Sequence, residues 1–344
     1  MPVAESDILR SLTLWRGRVL ALDAEAARAL ALRWLQVEQA LQPVIRELID
    51  EALKLHAAGE KPSDAFIYKL RRFEGLYKQT YEQIGNYGQF VSDLVTRNQM
   101  EAAEFARLSV QDQLQRMGAL SGTLNKLPVR AVTTLTGALT DGAPLRAYFL
   151  QGLQADTVQR MSDVLIRGIA LGQNPREIAR AMAREAGIPY RRALSISRTE
   201  VMRTFRLNQI DHYRQSRRVE GWMWICSKGS MTCMACIAMD GRTFPLSVEF
   251  VDHPSGRCSS LALLPGRTPQ FETGAQWFAK QPEATQRQML GPGAYDAWRA
   301  KKISIADMAT PHSHPTFGTH YARSNMSQAM ANAEARRSTQ RTGL

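Results

Sequence analysis

Residues 222–258 read WMWICSKGSMTCMACIAMDGRTFPLSVEFVDHPSGRC, and this stretch decides how the rest of the chain is interpreted. It holds all four cysteines and two of the six tryptophans of the 344-residue protein. The spacing C-x2-C-x16-H-x4-C is typical of a metal clip, because two thiolates one helical turn apart can grip one side of a Zn²⁺ ion. A His and a Cys from a distant loop can then complete the tetrahedron. The pattern predicts a zinc site with the ligands Cys233, Cys236, His253 and Cys258.

The same stretch predicts a small, irregular β unit. Apolar residues run without interruption through 222–226, which indicates a strand buried on both faces. Residues 233–239 are long enough for one or two helical turns. Asp240-Gly241 is a hairpin-type turn signal, and residues 242–244 can form the returning strand.

Three other interpretations of the cysteines and the histidine stay open, one of which is a redox clip formed by the same residues. A free Cys is often only a small buried apolar residue, and His253 could be a loop histidine bonded to the backbone. Disulfides are a third option, but the N-terminus shows no export signal. We therefore expect synthesis in a reducing cytoplasm, where the cysteines are thiols or metal ligands.

The ordered motifs of this region resemble those of a known family. They are Ser197-Arg198-Thr199-Glu200, Asn208, the Trp224 strand, Cys233-x2-Cys236, Asp240-Gly241, and His253-Pro254 followed by Arg257-Cys258. Together they resemble the Mu F-type head morphogenesis family, the minor head proteins of tailed phages and prophages. The resemblance covers about residues 155–262, with weaker similarity over 277–308. The sequence departs from the pattern at Gly256, where the family has a cysteine, and Cys226 could take the place of that cysteine.

The resemblance implies a function and a set of signature residues. The implied protein is a structural minor head protein that acts in procapsid assembly near the portal and could leave with the DNA. Its partners would be the portal protein and the capsid or scaffold, and its location would be the virion, after synthesis in the bacterial cytoplasm. The signature residues, with an expected structural role, are Arg198, Thr199, Glu200, Asp240, Gly241 and Arg257.

The charge balance favours a polyanionic neighbour. The formal net charge is +12 and the isoelectric point is about 9.8, which suits nucleic acid or an acidic protein surface. Residues 190–218 contain eight arginines but only Glu200 and Asp211 as acids. The arginines of this stretch predict a helix with a basic surface. This surface is expected to contact a portal or to bind DNA without sequence preference; its residues are Arg191, Arg192, Arg203, Arg206, Arg214, Arg217 and Arg218.

The N-terminal third predicts two long helices. Apolar residues recur at alternating spacings of four and three through 23–57, and a second such seam follows from Phe66 to Leu94. The two seams predict an antiparallel helical hairpin that continues to about Arg116. Pro43 lies inside the first seam and is expected to kink or split that helix.

The remaining segments are predicted to be helical, except for the C-terminal end of the chain. Residues 165–187 form a helix, a stop at Gly172 and a new helix after Asn174-Pro175, which favours a plain helical hairpin over a DNA-reading helix-turn-helix. Short helices are expected in 265–310, and the last residues are expected to be disordered or a partner-binding helix. The histidines of this end could be ligands or a small nuclease site, but a flexible loop is favoured; they are His312, His314 and His320.

The predicted fold is therefore mainly α with a small α+β domain. The predicted divisions are a helical arm (1–120), an irregular connector (121–154), the Mu F-type domain (155–264), a short helical region (265–310) and a flexible basic tail (311–344). No apolar run approaches the roughly 20 residues that span a bilayer. A structural head protein is the main hypothesis, no enzyme activity is expected, and the alternatives are a small C-terminal nuclease or toxin-like enzyme and a DNA-binding protein.

Overall fold

The computed structural model describes residues 5–61, 63, 66, 70–128, 132, 136–139, 141–149, 153–229, 232–267, 269–314 and 318–342. The chain divides into two compact units. The first comprises Met1–Ala21, Gln99–Leu135 and Thr199–Leu344, and the second comprises Leu22–Asn98 and Thr136–Arg198. The five-part division predicted from the sequence stays a prediction.

Two long helices, α1 (Glu5–Ala57) and α2 (Arg71–Arg116), form the N-terminal third, as the heptad spacing predicts. In the second unit, the ring of Trp34 meets that of Tyr87 edge-on at 5.0 Å. Most of the predicted α1 seam is buried there, namely Leu30, Trp34, Val37, Leu41 and Leu48. The observed seams differ in detail from the predicted ones. Ile45 of α1 and Leu76 of α2 are buried although the predicted seams do not include them, whereas the predicted seam residue Tyr77 is exposed.

The first helix is not split at Pro43, which lies exposed inside it. A proline inside a helix costs about 3 kcal/mol, because it removes one backbone hydrogen bond and crowds the preceding turn. Contacts with α2 hold α1 on both sides of the proline. Gln79 Nε2 donates to the Ala40 carbonyl at 3.0 Å, and the Glu51 carboxylate accepts the Arg71 N–H at 2.9 Å. Tertiary packing therefore outweighs the local cost.

The second unit also contains the single turn α3 (Leu145–Ala147) and the helices α4 (Leu153–Ala170) and α5 (Pro175–Ala186). The predicted stop at Gly172 has a φ of +64°, a backbone conformation that favours glycine. Asn174 caps α5 by accepting the Arg176 N–H at 2.9 Å. The next helix, α6 (Ile188–Gln215), begins in the second unit and ends in the first.

The first unit contains a three-stranded antiparallel sheet in the order β2-β1-β3. The strands are β1 (Gly221–Ile225), β2 (Thr243–Pro245) and β3 (Ser259–Leu263), and the helix α7 (Met234–Met239) lies between β1 and β2 in the chain. All residues of β1 and β3 are buried. Trp222 stacks on Phe244 at 4.5 Å and on Phe250 at 4.8 Å. The predicted buried strand, short helix and returning strand are all present.

The C-terminal part of the first unit starts with the predicted short helices. They are α8 (Gly274–Ala279), α9 (Glu283–Leu290), α10 (Pro292–Arg299) and a 3₁₀ turn (Ile305–Met308). Beyond them the structure differs from the predicted flexible tail. Strands β4 (Ala309–His314) and β5 (Gly318–Arg323) form a hairpin, and α11 (Met326–Thr342) follows.

Polar contacts around one carboxylate explain why this C-terminal segment is ordered. Asp307 accepts two hydrogen bonds from the Arg336 guanidinium, each at 3.0 Å. Asn332 donates to the Asp307 carbonyl at 3.0 Å, and Ala329 and Ala333 are fully buried. The small residues that suggested disorder instead let α11 pack closely.

The predicted fold class is confirmed: the protein is mainly α-helical, with a small sheet-containing region that carries the cysteines and His253. Within the described part of the chain, no helix has both the length and the apolar character required to cross a bilayer.

Candidate metal centre

Two short segments of the first unit supply the cysteines and the histidine. Cys233 is the N-cap residue of α7, and Cys236 lies in its first turn. His253 and Cys258 belong to the loop between β2 and β3. Cys233 also accepts the Cys236 N–H through its sulfur at 3.4 Å. The N-cap conformation thus places both sulfurs on one side of the helix start.

Three of the four predicted ligands converge. The sulfurs of Cys233 and Cys236 are 3.4 Å apart. Nε2 of His253 lies 3.2 Å from the Cys233 sulfur and 3.1 Å from the Cys236 sulfur. Ligand atoms bound to one Zn²⁺ at about 2.0–2.3 Å must lie a few ångströms from one another. The three side chains form a grouping that could hold a metal ion.

The orientation of His253 also suits a metal ligand. Its Nδ1 lies 2.9 Å from the Pro254 carbonyl oxygen, which can only accept, so Nδ1 carries the proton. In the neutral ring Nε2 then has a free lone pair, and this atom faces both sulfurs. A backbone carbonyl on the second ring nitrogen is the usual way in which metal-binding histidines are oriented.

The electrostatics of the three groups favour a thiolate in this cluster. The hydrogen bond with Cys236 and the contact with His253 lower the pKa of Cys233 to about 5, against the effect of burial. The pKa of Cys236 is raised by this hydrogen bond with Cys233, by a second hydrogen bond with Cys258 and by burial. Burial opposes charge on His253, but Cys233 and Asp252 raise its pKa to about 9. A divalent cation could replace the protons held in this cluster.

The fourth predicted ligand, Cys258, lies in a second grouping. Its sulfur shares that grouping with Cys236 and with the carboxylate of Asp252. Asp252 Oδ1 is 3.7 Å from the Cys236 sulfur and 3.7 Å from Nε2 of His253. Cys258 is therefore joined to the first grouping through Cys236. Cys226 belongs to neither grouping, and burial raises the pKa of its thiol.

A buried ion pair holds the loop that carries His253 and Cys258. Nη2 of Arg206 lies 2.8 Å from Asp252 Oδ2, and both side chains are almost completely buried. The same guanidinium donates to the carbonyls of Cys258 at 2.8 Å and Gly256 at 2.6 Å. Arg206 was predicted as part of the basic surface, and this assignment is corrected. Its positive charge is used inside the protein, and no motif indicated Asp252 beyond its position next to His253.

Gly256 has a steric explanation. A Cβ at this position would overlap the carboxylate of Asp252. The carboxylate thus occupies the space that any side chain of residue 256 would enter. With Asp252 paired to Arg206, only glycine fits, which accounts for the departure from the family pattern at this position.

We expect Gly256→Ala to lower the free energy of unfolding by about 1–3 kcal/mol, the usual cost of overpacking a closed interior site. Gly293→Ala is the matched control, because no atom lies within 4 Å of the added Cβ there. Urea titration followed by circular dichroism measures both. Equal stabilities of the two variants would show that Asp252 moves aside freely.

The signature residues of the α6 region have structural contacts. Nε of Arg198 pairs with Asp23 at 3.1 Å within the second unit. Thr199 accepts the Ser255 N–H through its hydroxyl at 3.0 Å, which ties α6 to the His253 loop. Glu200 is fully buried and lies 3.5 Å from the Arg203 guanidinium.

The Asp240-Gly241 turn closes the end of β1. Asp240 Oδ1 accepts the Cys226 N–H at 2.6 Å, and Lys228 lies 3.2 Å from Oδ2. Gly241 has a φ of +85° and donates its N–H to the Trp224 carbonyl. Arg257, the last signature residue, is exposed.

The other candidate residues are exposed or paired. Arg203 is half-buried beside Glu200, and Arg214 pairs with Asp211 at 2.7 Å. The remaining arginines of the predicted surface are exposed, namely Arg191, Arg192, Arg217 and Arg218. The three C-terminal histidines meet on the β4–β5 hairpin, where the His312 and His320 rings are 5.5 Å apart and those of His314 and His320 6.5 Å. Among the described residues they belong to no metal-binding grouping.

Residues 159–260 match the family model described as Phage Mu protein F like protein. This segment is similar to that family, and we refer to it as the Mu F-like domain. The match includes α6, β1, β2, the first two residues of β3 and every residue of the two Cys-containing groupings. No curated protein and no solved structure matches the chain. The Mu F-like domain thus contains the candidate metal centre.

Proposed function

We propose that the protein is a structural minor head protein of a tailed phage or prophage, acting in procapsid assembly near the portal. The observation that carries this proposal is the Mu F-like domain over residues 159–260, whose family supports a role in phage head morphogenesis. The protein would be made in the bacterial cytoplasm and incorporated into the virion, and it could leave with the DNA.

Physical features of the chain support a role in assembly. In the part of the Mu F-like domain that belongs to the first unit, buried residues form the Arg206–Asp252 pair and the Cys/His cluster, an arrangement suited to a rigid module. We propose that Cys233, Cys236, His253 and Cys258 bind one Zn²⁺ that links α7 to the loop before β3. Such an ion would stabilise the fold and perform no catalysis.

We propose that the portal partner meets the exposed arginines at the end of α6. Arg217 and Arg218 are exposed and make no ion pair within the described part of the chain, while Arg214 is exposed and pairs with the half-buried Asp211. Exposed charges of this kind influence the rate and specificity of docking more than the stability of the fold.

Co-expression with the phage portal protein tests this proposal. We expect the wild-type chain to co-purify with the portal, and the triple variant Arg214→Glu, Arg217→Glu, Arg218→Glu to lose at least nine-tenths of that binding. Arg10, Arg299 and Arg160 are exposed arginines elsewhere, and their triple charge reversal provides the matched control. Normal portal binding and normal incorporation of the α6 variant into filled heads would overturn the docking proposal. Absence of the wild-type chain from purified heads would overturn the head-protein proposal itself.

A second candidate, a small nuclease, is favoured only by the histidines of the β4–β5 hairpin. His312 and His320 are directly paired in the hairpin register, but His320 is buried, which lowers its pKa. Replacement of all three histidines by alanine, with DNase and RNase assays of the purified protein, tests this alternative. An activity that depends on them would replace the structural role as the main proposal.

A further inference from the structure

The arginines of α6 are largely neutralised within the structure. Arg206 is buried against Asp252, and Arg203 and Arg214 lie beside Glu200 and Asp211. Arg198 pairs with Asp23. The basic helix predicted from the sequence therefore presents much less free positive charge than its composition indicates.

Another helix presents unpaired arginines in a regular row. Arg176, Arg180 and Arg184 are all exposed on α5, whose opposite side is buried through Ile178 and Met182. Residues four apart lie on one helix face and about 6 Å apart along the axis. We call these three residues the α5 stripe. Among the described residues, no carboxylate lies within 4.0 Å of their guanidinium groups.

Neighbouring residues of the same unit extend the stripe. Nη2 of Arg191 donates to the Arg184 carbonyl at 3.2 Å, which places a fourth guanidinium at its end. A mainly polar groove of about 480 Å³ between α4 and α5 is lined by Arg167, Gln173, Arg180 and Arg184. Glu177 and Glu185 also line this groove, so its three arginines face two glutamates. Arg176 and Arg191 add two more positive charges, and Glu38 lies beside Arg191. The face remains clearly positive.

We propose that the α5 stripe and the adjoining groove bind the phosphate backbone of duplex DNA. The three stripe arginines span about 12 Å, and a DNA strand advances about 3.4 Å per phosphate along the axis, so a few consecutive phosphates lie within reach. The planar guanidinium group also pairs well with phosphate oxygens. This inference rests on the part of the proposed function that places the protein beside packaged DNA.

The composition of the stripe favours DNA over an acidic protein. Docked protein surfaces usually contain a dry apolar centre, and the exposed face of α5 carries no large apolar side chain. Contacts of the arginines with phosphate oxygens carry no sequence information. The binding should consequently be insensitive to DNA sequence.

Fluorescence anisotropy with a 30-base-pair duplex and the full-length protein tests the proposal. We expect the double variant Arg180→Gln, Arg184→Gln to bind about tenfold more weakly than wild type at moderate salt. The slope of log affinity against log salt should decrease by about 2, because each phosphate that is no longer neutralised lowers it by about 0.9. A second duplex of unrelated sequence should bind equally well.

The double variant Arg299→Gln, Arg337→Gln is the matched control, because it removes the same charge from exposed positions outside the stripe. We expect its affinity to remain within about twofold of wild type. Equal reductions in affinity for both pairs would show an effect of net charge alone and overturn the proposal, as would unchanged binding of the stripe variant. Loss of portal or capsid binding by the stripe variant, with DNA binding intact, would identify an acidic protein as the partner instead. Head incorporation is measured separately, so failure here leaves the head-protein proposal standing.

Discussion

Replacing Arg206 by methionine is expected to lower the free energy of unfolding by about 3–5 kcal/mol. The variant leaves the Asp252 carboxylate in the interior without its guanidinium partner, and it removes the donor to the carbonyls of Gly256 and Cys258. Methionine preserves much of the apolar stem that lies over Phe250, where the guanidinium carbon is now 5.3 Å from the ring centre. The reduced stability therefore reports the missing charge more than missing volume. Urea denaturation followed by tryptophan fluorescence measures it, since Trp222 and Trp224 are fully buried.

Arg214→Met on the same helix is the control. Arg214 also pairs with an aspartate and donates to a carbonyl, but it lies at the surface. An exposed pair contributes no more than about 1 kcal/mol. Adding Asp252→Asn to Arg206→Met should recover part of the stability, because the unpaired buried charge is then removed. Equal destabilisation by Arg206→Met and Arg214→Met would contradict a central role for the buried pair.

Local patterns along the chain predicted the elements of the fold well. The heptad seams of α1 and α2, the stop at Gly172 and the buried strand at Trp222–Cys226 each depend on residues close together in sequence. Pro43 and the C-terminal segment were harder to predict, because contacts with distant residues decide their structure. Arg206 illustrates the same limit at the site. Its partner Asp252 lies 46 residues away, and no spacing rule indicates that a basic helix residue is buried against a loop.

The candidate site was predicted in part for the same reason. Cys233 and Cys236 lie within one helical turn, so their proximity follows from local geometry. His253 approaches them through a long-range contact, with Nε2 3.2 Å from the Cys233 sulfur and 3.1 Å from the Cys236 sulfur. The C-x2-C-x16-H-x4-C pattern did not indicate that Cys258 would share its surroundings with Asp252. A carboxylate next to a histidine is too common in sequences to single out.

Removal of zinc should lower the stability of the protein more than any of the substitutions predicted above. We expect protein purified without chelator to contain one zinc ion per chain, and chelation to lower its thermal stability strongly. The free energy of binding a structural zinc ion, of order 10 kcal/mol in small domains, adds to the stability of the folded state. Cys233→Ala and Cys236→Ala should each abolish zinc binding, as measured by elemental analysis. Restoring zinc should return the melting temperature of the wild-type protein and leave that of the variants unchanged.

Cys226→Ala is the matched control, because it deletes a thiol that is as buried as that of Cys236 and belongs to neither grouping. The variant should be less stable than wild type because it creates a small cavity, while its zinc content should stay at wild-type level.

A comparison of Cys258→Ala with Asp252→Asn identifies the fourth ligand. If Cys258 binds the ion, its removal should eliminate stable binding, whereas Asp252→Asn should weaken zinc binding only about 10–100-fold, as expected of a group that supports a ligand. The reverse ranking would make Asp252 the fourth ligand. Zinc-free wild-type protein whose melting temperature ignores chelators would refute the metal site and leave Cys233 and Cys236 as a thiol pair beside His253.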